Sequence, residues 1–355
     1  MMVESQQIQI KKIAQSRLPE VDMVNLEFGQ TFSDHMYVAD YANGEWQTPH
    51  IVPFSDFSLS PANPALHYGQ ALFEGLKAYK ADNGDILVFR PEANLRRLNL
   101  SADRLCMPAY SEEVFVEGLK ELLRVDADWI PSAPGSSLYI RPFMFATGEF
   151  LGVKPSDTYK FAIITCPVNA YYSMPLRVKI EEQYARAVEG GFGYAKAAGN
   201  YAGSLYPAKK AAEEGYHQLL WTDGKTHEYF EESGTMNLMF VINDTLLTPA
   251  LSTSILAGVT RDSILTLARD RGMKVEERKI AVTEVVEAAQ NGTLQEAFGC
   301  GTAAVISQIA TIGYRGNDLQ LPPVESRKYS LAFAQELNDI RTGKTADKHG
   351  WIVKV

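Results

Sequence analysis

From Ile51 onward the chain alternates short apolar runs with stretches whose apolar residues recur at helical spacing, and this alternation constrains the fold most tightly. Short apolar runs bounded by turn residues suit strands, whereas a 3.6-residue period suits helices that bury one face. Lys77–Lys80 and Ile86–Phe89 flank Ala81–Asp85, which reads as a β-hairpin turn. Pro91 is well placed to open a helix running to about Leu105. Ser111 can cap a second helix reaching Trp129, with Glu112 and Glu113 in its first turn. Further strands are expected over Leu138–Phe145, Lys160–Thr165, Leu176–Ile180, Gln218–Trp221 and Asn237–Ile242, with Asn243 and Asp244 as a turn. Further helices are expected over Tyr201–Glu214, Thr260–Asp270, Val282–Ala289 and Ser330–Ile340, with Gly215 and Gly272 as stops. Residues 1–25 are polar and irregular and read as a loosely attached lead-in, and Leu151–Ser173, with its Pro, Gly and Asn, holds the domain crossover. The mixture of hairpins and helices points to α+β rather than a regular parallel α/β fold.

Composition narrows the function. A chain of 355 residues suggests about two domains and needs neither disulfides nor metals for its core. The net charge of −9 repels phosphate backbones, so nucleic acid is not expected as a partner. Cys106, Cys166 and Cys300 are far apart and form no C-x-x-C pair, as expected of reduced thiols in a cytosolic protein. The start, MMVESQQIQIKK, lacks the apolar stretch of a signal peptide, and no run approaches the roughly 18 apolar residues of a membrane helix. A cytoplasmic protein with no membrane partner is expected. None of the six histidines pair at i, i+4 spacing and no cysteine joins them, so no metal site is expected. Neither a G-x-S-x-G elbow nor a phosphate-binding G-x-x-x-x-G-K-[ST] loop is present. Gly299–Ala304 fits a loose G-x-G-x-x-A pattern, but only about fifty residues follow it and no βαβ unit surrounds it, which argues against NAD binding. Its glycines could still let backbone approach a ligand closely.

Four segments carry chemistry that composition does not explain. Lys196 lies among glycines and alanines just before a helix, surroundings that admit a flat ring and permit the desolvation that makes a lysine amine nucleophilic. Taken alone, an exposed surface lysine is the commoner case. Glu232, between two strand-like runs, is either a charged loop tip or a carboxylate that pairs with a protonated ring nitrogen. Arg96 and Arg97 lie on one helix about 100° apart, and physics alone does not choose between them. Gly258–Asp262 begins a helix whose free N–H groups form an anion site or are simply N-capped, with Thr260 able to add a hydroxyl.

Together with Phe28–Met36, His67–Gly75, Phe89–Leu98, Tyr139–Pro142, Lys196–Tyr201, Glu232–Asn237, Gly258–Arg261 and Gly299–Ala303, in that order, these segments resemble the class IV pyridoxal-phosphate (PLP) aminotransferases of the D-amino-acid aminotransferase fold, and within them the branched-chain-amino-acid aminotransferases. The resemblance spans about Phe28 to Gly343. It implies a two-domain α+β fold with the cofactor at the domain interface: a small domain over 1–165 (1–25 as lead-in), a connection over 166–176 and a large PLP-binding domain over 177–355. It implies that Lys196 holds the cofactor covalently and moves the proton, that Tyr201 bonds its phenolic oxygen, and that Glu232 holds its ring nitrogen. Arg97, Val259, Thr260 and Thr302 would hold the phosphate, and Arg186 would lie beside the cofactor. Phe28, Tyr68, Phe73, Tyr139, Tyr171 and Thr235 would line the substrate pocket, with Ala303 and Thr235 at the α-carboxylate and Arg141 with Tyr68 at the distal carboxylate of glutamate. The Leu151–Val153 loop, and Tyr68 with it, would come from a partner subunit, so a homodimer is implied. The implied reaction moves the amino group of L-leucine, L-isoleucine or L-valine to 2-oxoglutarate, giving a branched 2-oxo acid and L-glutamate. A D-amino-acid aminotransferase, an aminodeoxychorismate lyase and a catalytically silent PLP-fold binding protein are the alternatives. The Phe28–Met36 segment and the Glu232–Asn237 form favour the branched-chain branch.

Overall fold

The computed structural model describes residues 8–169, 174–303 and 305–355. The chain forms two compact units: Met1–Tyr171 with Ala195–Gly199 and Asp339–Val355, and Tyr172–Tyr194 with Asn200–Asn338.

The first unit is built on a sheet whose strands run, edge to edge, Gln9–Ile10, His50–Pro53, His35–Ala42, Tyr159–Val168, Ser137–Ala146, Leu76–Lys80, Ile86–Phe89 and Ile352–Lys354. Only the first pairing is parallel. The expected hairpin forms, with Gly84 at φ +87° in its turn. The helices Pro91–Arg104 and Glu112–Val125 bury Leu95, Leu98, Phe115, Leu119 and Leu122 in a core with Tyr37, Phe161 and Ile163 of the sheet. Each such side chain contributes roughly 1.5–3 kcal/mol of burial. Helix and sheet press closely at Gly118, where a Cβ would lie 2.5 Å from the Tyr37 ring. Ser111 Oγ accepts from Val114 N, as expected of the cap, but the helix ends at Val125 and a single 3₁₀ turn, Ala127–Trp129, follows.

The described part of the lead-in is not loose. Gln9–Ile10 pairs with His50–Ile51, Ile13 N donates to His35 Nε2 at 2.9 Å, and Ser16 Oγ and Arg17 N donate to Asp34. Its polar residues find partners across the unit, which composition alone does not reveal. The C-terminal strand Ile352–Lys354 pairs with Ile86–Phe89, and Trp351 packs edge-on against Phe89.

In the second unit the strands run Phe230–Ser233, Gln218–Thr222, Leu176–Ile180, Val305–Tyr314, Leu294–Gly301, Met236–Ile242, Thr245–Pro249 and Lys274–Arg278. Phe230–Ser233 also pairs with Met236–Ile242, which closes the first six strands into a circuit. Val178, Leu220, Phe230, Leu238, Phe240, Ile309 and Ile312 belong to one buried core. Asn243 and Asp244 both have positive φ, as a two-residue hairpin turn between antiparallel strands requires. The helix expected over Tyr201–Glu214 is two pieces, Ala198–Ala202 and Leu205–Glu213, before Gly215 at φ +83°. Glu232 lies within a strand rather than at a loop tip. The two glycines of Gly299–Gly301 also lie in a strand, and a Cβ on Gly299 would meet Met236 Cε at 2.7 Å. There the missing side chain makes room for a neighbouring strand's methionine.

Candidate active site

Lys196 belongs to the segment that packs in the first unit. Its N–H donates to Ser101 Oγ at 2.9 Å, its carbonyl accepts from Phe73 N at 3.1 Å, and Ala197 bridges Leu72. With Ala195 and Ala197 both buried, the backbone around the lysine is fixed on both sides. Lys196 Nζ lies 4.6 Å from the centroid of the Phe73 ring, and Arg141 Cζ lies 4.6 Å from the same centroid. Arg141 Nη2 donates to the Tyr139 hydroxyl at 3.1 Å, while Arg141 Nε is buried without a hydrogen-bond partner among the described residues. Phe28 meets the Tyr139 ring edge-on at 5.0 Å. Phe28, Phe73, Tyr139, Arg141 and Lys196, singled out in distant segments, thus form one cluster. Gly75 borders it, since a Cβ there would lie 2.2 Å from the Tyr139 hydroxyl. The Tyr68 hydroxyl donates to the carbonyl of Leu151, which joins Tyr68 to the 151–153 loop, where Val153 is 87% exposed.

Glu74, inside the quoted His67–Gly75 motif, was not singled out by sequence reasoning. It is 1% exposed and accepts from Arg97 Nε and Nη2, both at 2.8 Å, and from Asn94 Nδ2 at 2.9 Å. Burial pushes the Glu74 carboxyl up, but the charges of Arg97 and Lys196 and these hydrogen bonds hold it below its ordinary value. Arg97, expected at a phosphate, therefore has a buried carboxylate as its fork partner. Arg96 is exposed and lies 3.6 Å from Glu112.

In the second unit, Glu232 is the cross-strand neighbour of Asn237. Glu232 Oε1 accepts from Leu256 N at 2.7 Å, and Asn237 Nδ2 donates to Leu256 O at 2.8 Å, so the pair grips both polar groups of one residue. This fixes the chain leading to Gly258, the N-cap of the helix Val259–Asp270, which has no side-chain cap hydrogen bond among the described residues. Val259 and Thr260 are the first residues of that helix and both are buried. A Cβ on Gly258 would lie 1.9 Å from Asn237 Oδ1, so only glycine fits. Arg186 Nε lies 3.1 Å from Glu232 Oε2, an ion-pair distance without hydrogen-bond alignment, and its Nη2 donates to the carbonyls of Gly193 and Ser254. Thr235 is exposed in the hairpin between Phe230–Ser233 and Met236–Ile242, beside Gly234 at φ +56°. Thr302 and Ala303 are partly exposed in the turn before Val305, whose φ of +59° is strained for a β-branched residue. Tyr201 lies in the short helix Ala198–Ala202, its carbonyl accepting from Ser204. Tyr171 lies outside the described residues.

A phosphorylated pyridine aldehyde needs an amine, an acid for its ring nitrogen and an anion cradle. The chain offers a lysine beside an aromatic ring, a carboxylate that is 3% exposed, and a helix start with glycine at its N-cap. The residues present fit such a group. Among the described residues there is no cluster that could hold a metal ion, and no helix is long and apolar enough to cross a membrane.

The chain matches the amino-transferase class IV family over residues 71–312. It is 46% identical over 348 residues to branched-chain-amino-acid aminotransferase 2 of Bacillus subtilis, covering 97% of this chain and 96% of that one. Among solved structures, the branched-chain aminotransferase of the thermophilic archaeon Thermoproteus uzoniensis with norvaline aligns with TM-score 0.74 at 25% identity, covering 90% of this chain and 99% of that one. The branched-chain amino acid aminotransferase of Escherichia coli aligns with TM-score 0.72 at 27% identity, covering 90% and 98%. The chain belongs to the class IV aminotransferases, in the branched-chain-amino-acid aminotransferase family.

Proposed function

We propose that this protein is a PLP-dependent transaminase that moves the amino group of L-leucine, L-isoleucine or L-valine to 2-oxoglutarate. One observation carries the reading: an amine and a guanidinium share the Phe73 ring, and the guanidinium keeps a buried Nε without a partner among the described residues. An enzyme of this kind must accept both a branched alkyl chain and the second carboxylate of glutamate in one pocket. Phe28, Phe73 and Tyr139 offer the first an apolar wall, and Arg141 offers the second an unsatisfied donor. Discrimination among the three branched substrates is small, because one methylene in an apolar pocket is worth only ~1–3 kcal/mol.

When bound, PLP supplies the electron sink that makes the substrate's α-proton removable. Lys196 removes that proton and returns one, as a general base whose backbone is anchored to Ser101 and Phe73. Glu232 keeps the ring nitrogen protonated, and Arg186 and Leu256 N orient its carboxylate. Gly258, Val259, Thr260, Thr302 and Arg97 would hold the phosphate of the cofactor, Tyr201 would bond its phenolic oxygen, and Thr235 and Ala303 would receive the substrate's α-carboxylate. The exposed Leu151 and Val153, tied to Tyr68, suit burial by a second copy in a homodimer. Three free cysteines suit the cytoplasm. Glutamate formation from 2-oxoglutarate, measured with L-leucine and D-alanine side by side, tests the reading, with turnover of aminodeoxychorismate measured alongside. Turnover with L-leucine is expected, and turnover only with D-alanine or aminodeoxychorismate would overturn it.

A further inference from the structure

Glu231 and Glu232 are adjacent in the strand Phe230–Ser233, so their side chains leave opposite faces. Glu232 meets Leu256 and Arg186. Glu231 instead lines a cavity of about 620 Å³ within the second unit, a size suited to a small molecule. Phe230, Leu251 and Ile255 give this cavity apolar walls. Glu231 is 8% exposed; Ser254 Oγ donates to its Oε1, and its Oε2 is buried with no hydrogen-bond partner among the described residues.

Of the other charged groups lining the cavity, which include Glu189 and Lys225, neither Asp223 nor Lys279 answers that oxygen. Asp223 is itself an acceptor, taking the N–H groups of Thr226, Glu228 and Tyr229 in its own turn. Lys279 Nζ sits over the Tyr229 ring, 5.4 Å from its centroid. Burial pushes the Glu231 carboxyl up to about 7, against the Ser254 hydroxyl and the Arg186 charge, with Glu232 and Asp223 pushing the same way as burial. A carboxylate at the wall of a small-molecule-sized space, with one oxygen unpartnered among the described residues, is answered by an N–H donor with positive charge.

We propose that this cavity binds a small organic cation on an apolar body, its N–H donating to the Glu231 carboxylate and its body lying against Phe230, Leu251 and Ile255. A simple amine and a zwitterionic amino acid share this chemistry; Lys225 and Lys279, which also line the cavity, would favour the second. The test is calorimetric titration of the PLP-loaded enzyme at pH 8 with N,N-dimethylbutylammonium and, separately, N,N-dimethyl-L-leucine. Neither tertiary amine can form an imine with the cofactor. Saturable binding of at least one probe is expected, weakened roughly tenfold or more by Glu231→Gln and by Ala250→Phe, which fills the cavity wall. The tighter probe identifies the source. Melting curves show that each variant is folded, and Ala250→Phe stands in if Glu231→Gln is not. Failure of both probes to saturate by about 10 mM, or affinities unchanged in the folded variants, would overturn the proposal.

Discussion

Replacing Glu74 by Gln is the perturbation whose cost follows most directly from the geometry. The Glu74 carboxylate takes both forks of Arg97 at 2.8 Å, Asn94 Nδ2 at 2.9 Å and Gly75 N at 3.2 Å, and it answers the charge of Lys196. A glutamine must turn an NH₂ toward one of these donors in either amide orientation, and it takes from the buried Arg97 guanidinium the carboxylate charge that both its forks meet. Breaking a buried pair by removing one partner costs ~3–5 kcal/mol, mostly through the charge left behind. For a domain of roughly 150–250 residues, each kcal/mol moves the melting temperature by about 2–4 °C, so a fall of roughly 10 °C is expected for the first unit. Differential scanning calorimetry reads it. Arg97→Met in the Glu74→Leu background should recover part of the loss, because two apolar side chains leave no orphaned charge. A single variant that melts within about 2 °C of the parent, or a double variant as unstable as the sum of its parts, would refute the reasoning.

Three further perturbations bear on other parts of the account. Glu232→Gln keeps an acceptor for Leu256 N but removes the charge that faces Arg186, and α-proton removal should slow by roughly a hundredfold or more, read as a larger isotope effect with α-deuterated leucine. Gly258→Ala forces a Cβ into Asn237 Oδ1, and urea unfolding should show a loss of about 1–3 kcal/mol together with weaker PLP retention; unchanged stability would count against the Asn237 clamp. Lys77 is buried, and burial first, then Arg341, pushes its amine from 10.5 down to about 7. Between those values the unfolded chain binds more protons, so stability should rise by about 2 kcal/mol from pH 7 to pH 9 on account of this residue. Lys77→Met should flatten that rise in urea titrations at the two pH values.

What the sequence reveals here depends on how local the signal is. The hairpin around Gly84, the turn at Asn243–Asp244 and the helices stopped by Gly215 and Gly272 are legible because φ-permissive residues mark them within a few positions. The strand Lys274–Arg278 is not, because it is mostly charged and is fixed by its parallel pairing with Thr245–Pro249. Residues 8–21 look structureless because their partners, His35, Asp34 and His50, are distant in sequence. The aromatic cluster around Lys196 and Arg141 came from family resemblance, since nothing in a one-dimensional pattern brings Phe28 to Tyr139. Glu74 escaped notice because an acidic residue inside a motif looks solvated until its partner, Arg97 on a separate helix, is placed beside it. Glu231 escaped because its neighbour carries the motif, and only the alternation of the strand sends the two carboxyls apart.

The central claim is that Lys196 holds PLP in an enzyme that accepts amino groups from L-branched-chain substrates. The most direct measurement is the visible absorption spectrum of the purified protein with PLP, before and after addition of L-leucine, with the Lys196→Ala variant in parallel. The account predicts a band of lysine-bound cofactor that gives way to that of pyridoxamine phosphate in the parent, with no such conversion in the variant. A parent band unmoved by L-leucine, or a variant that converts as fast as the parent, would contradict it.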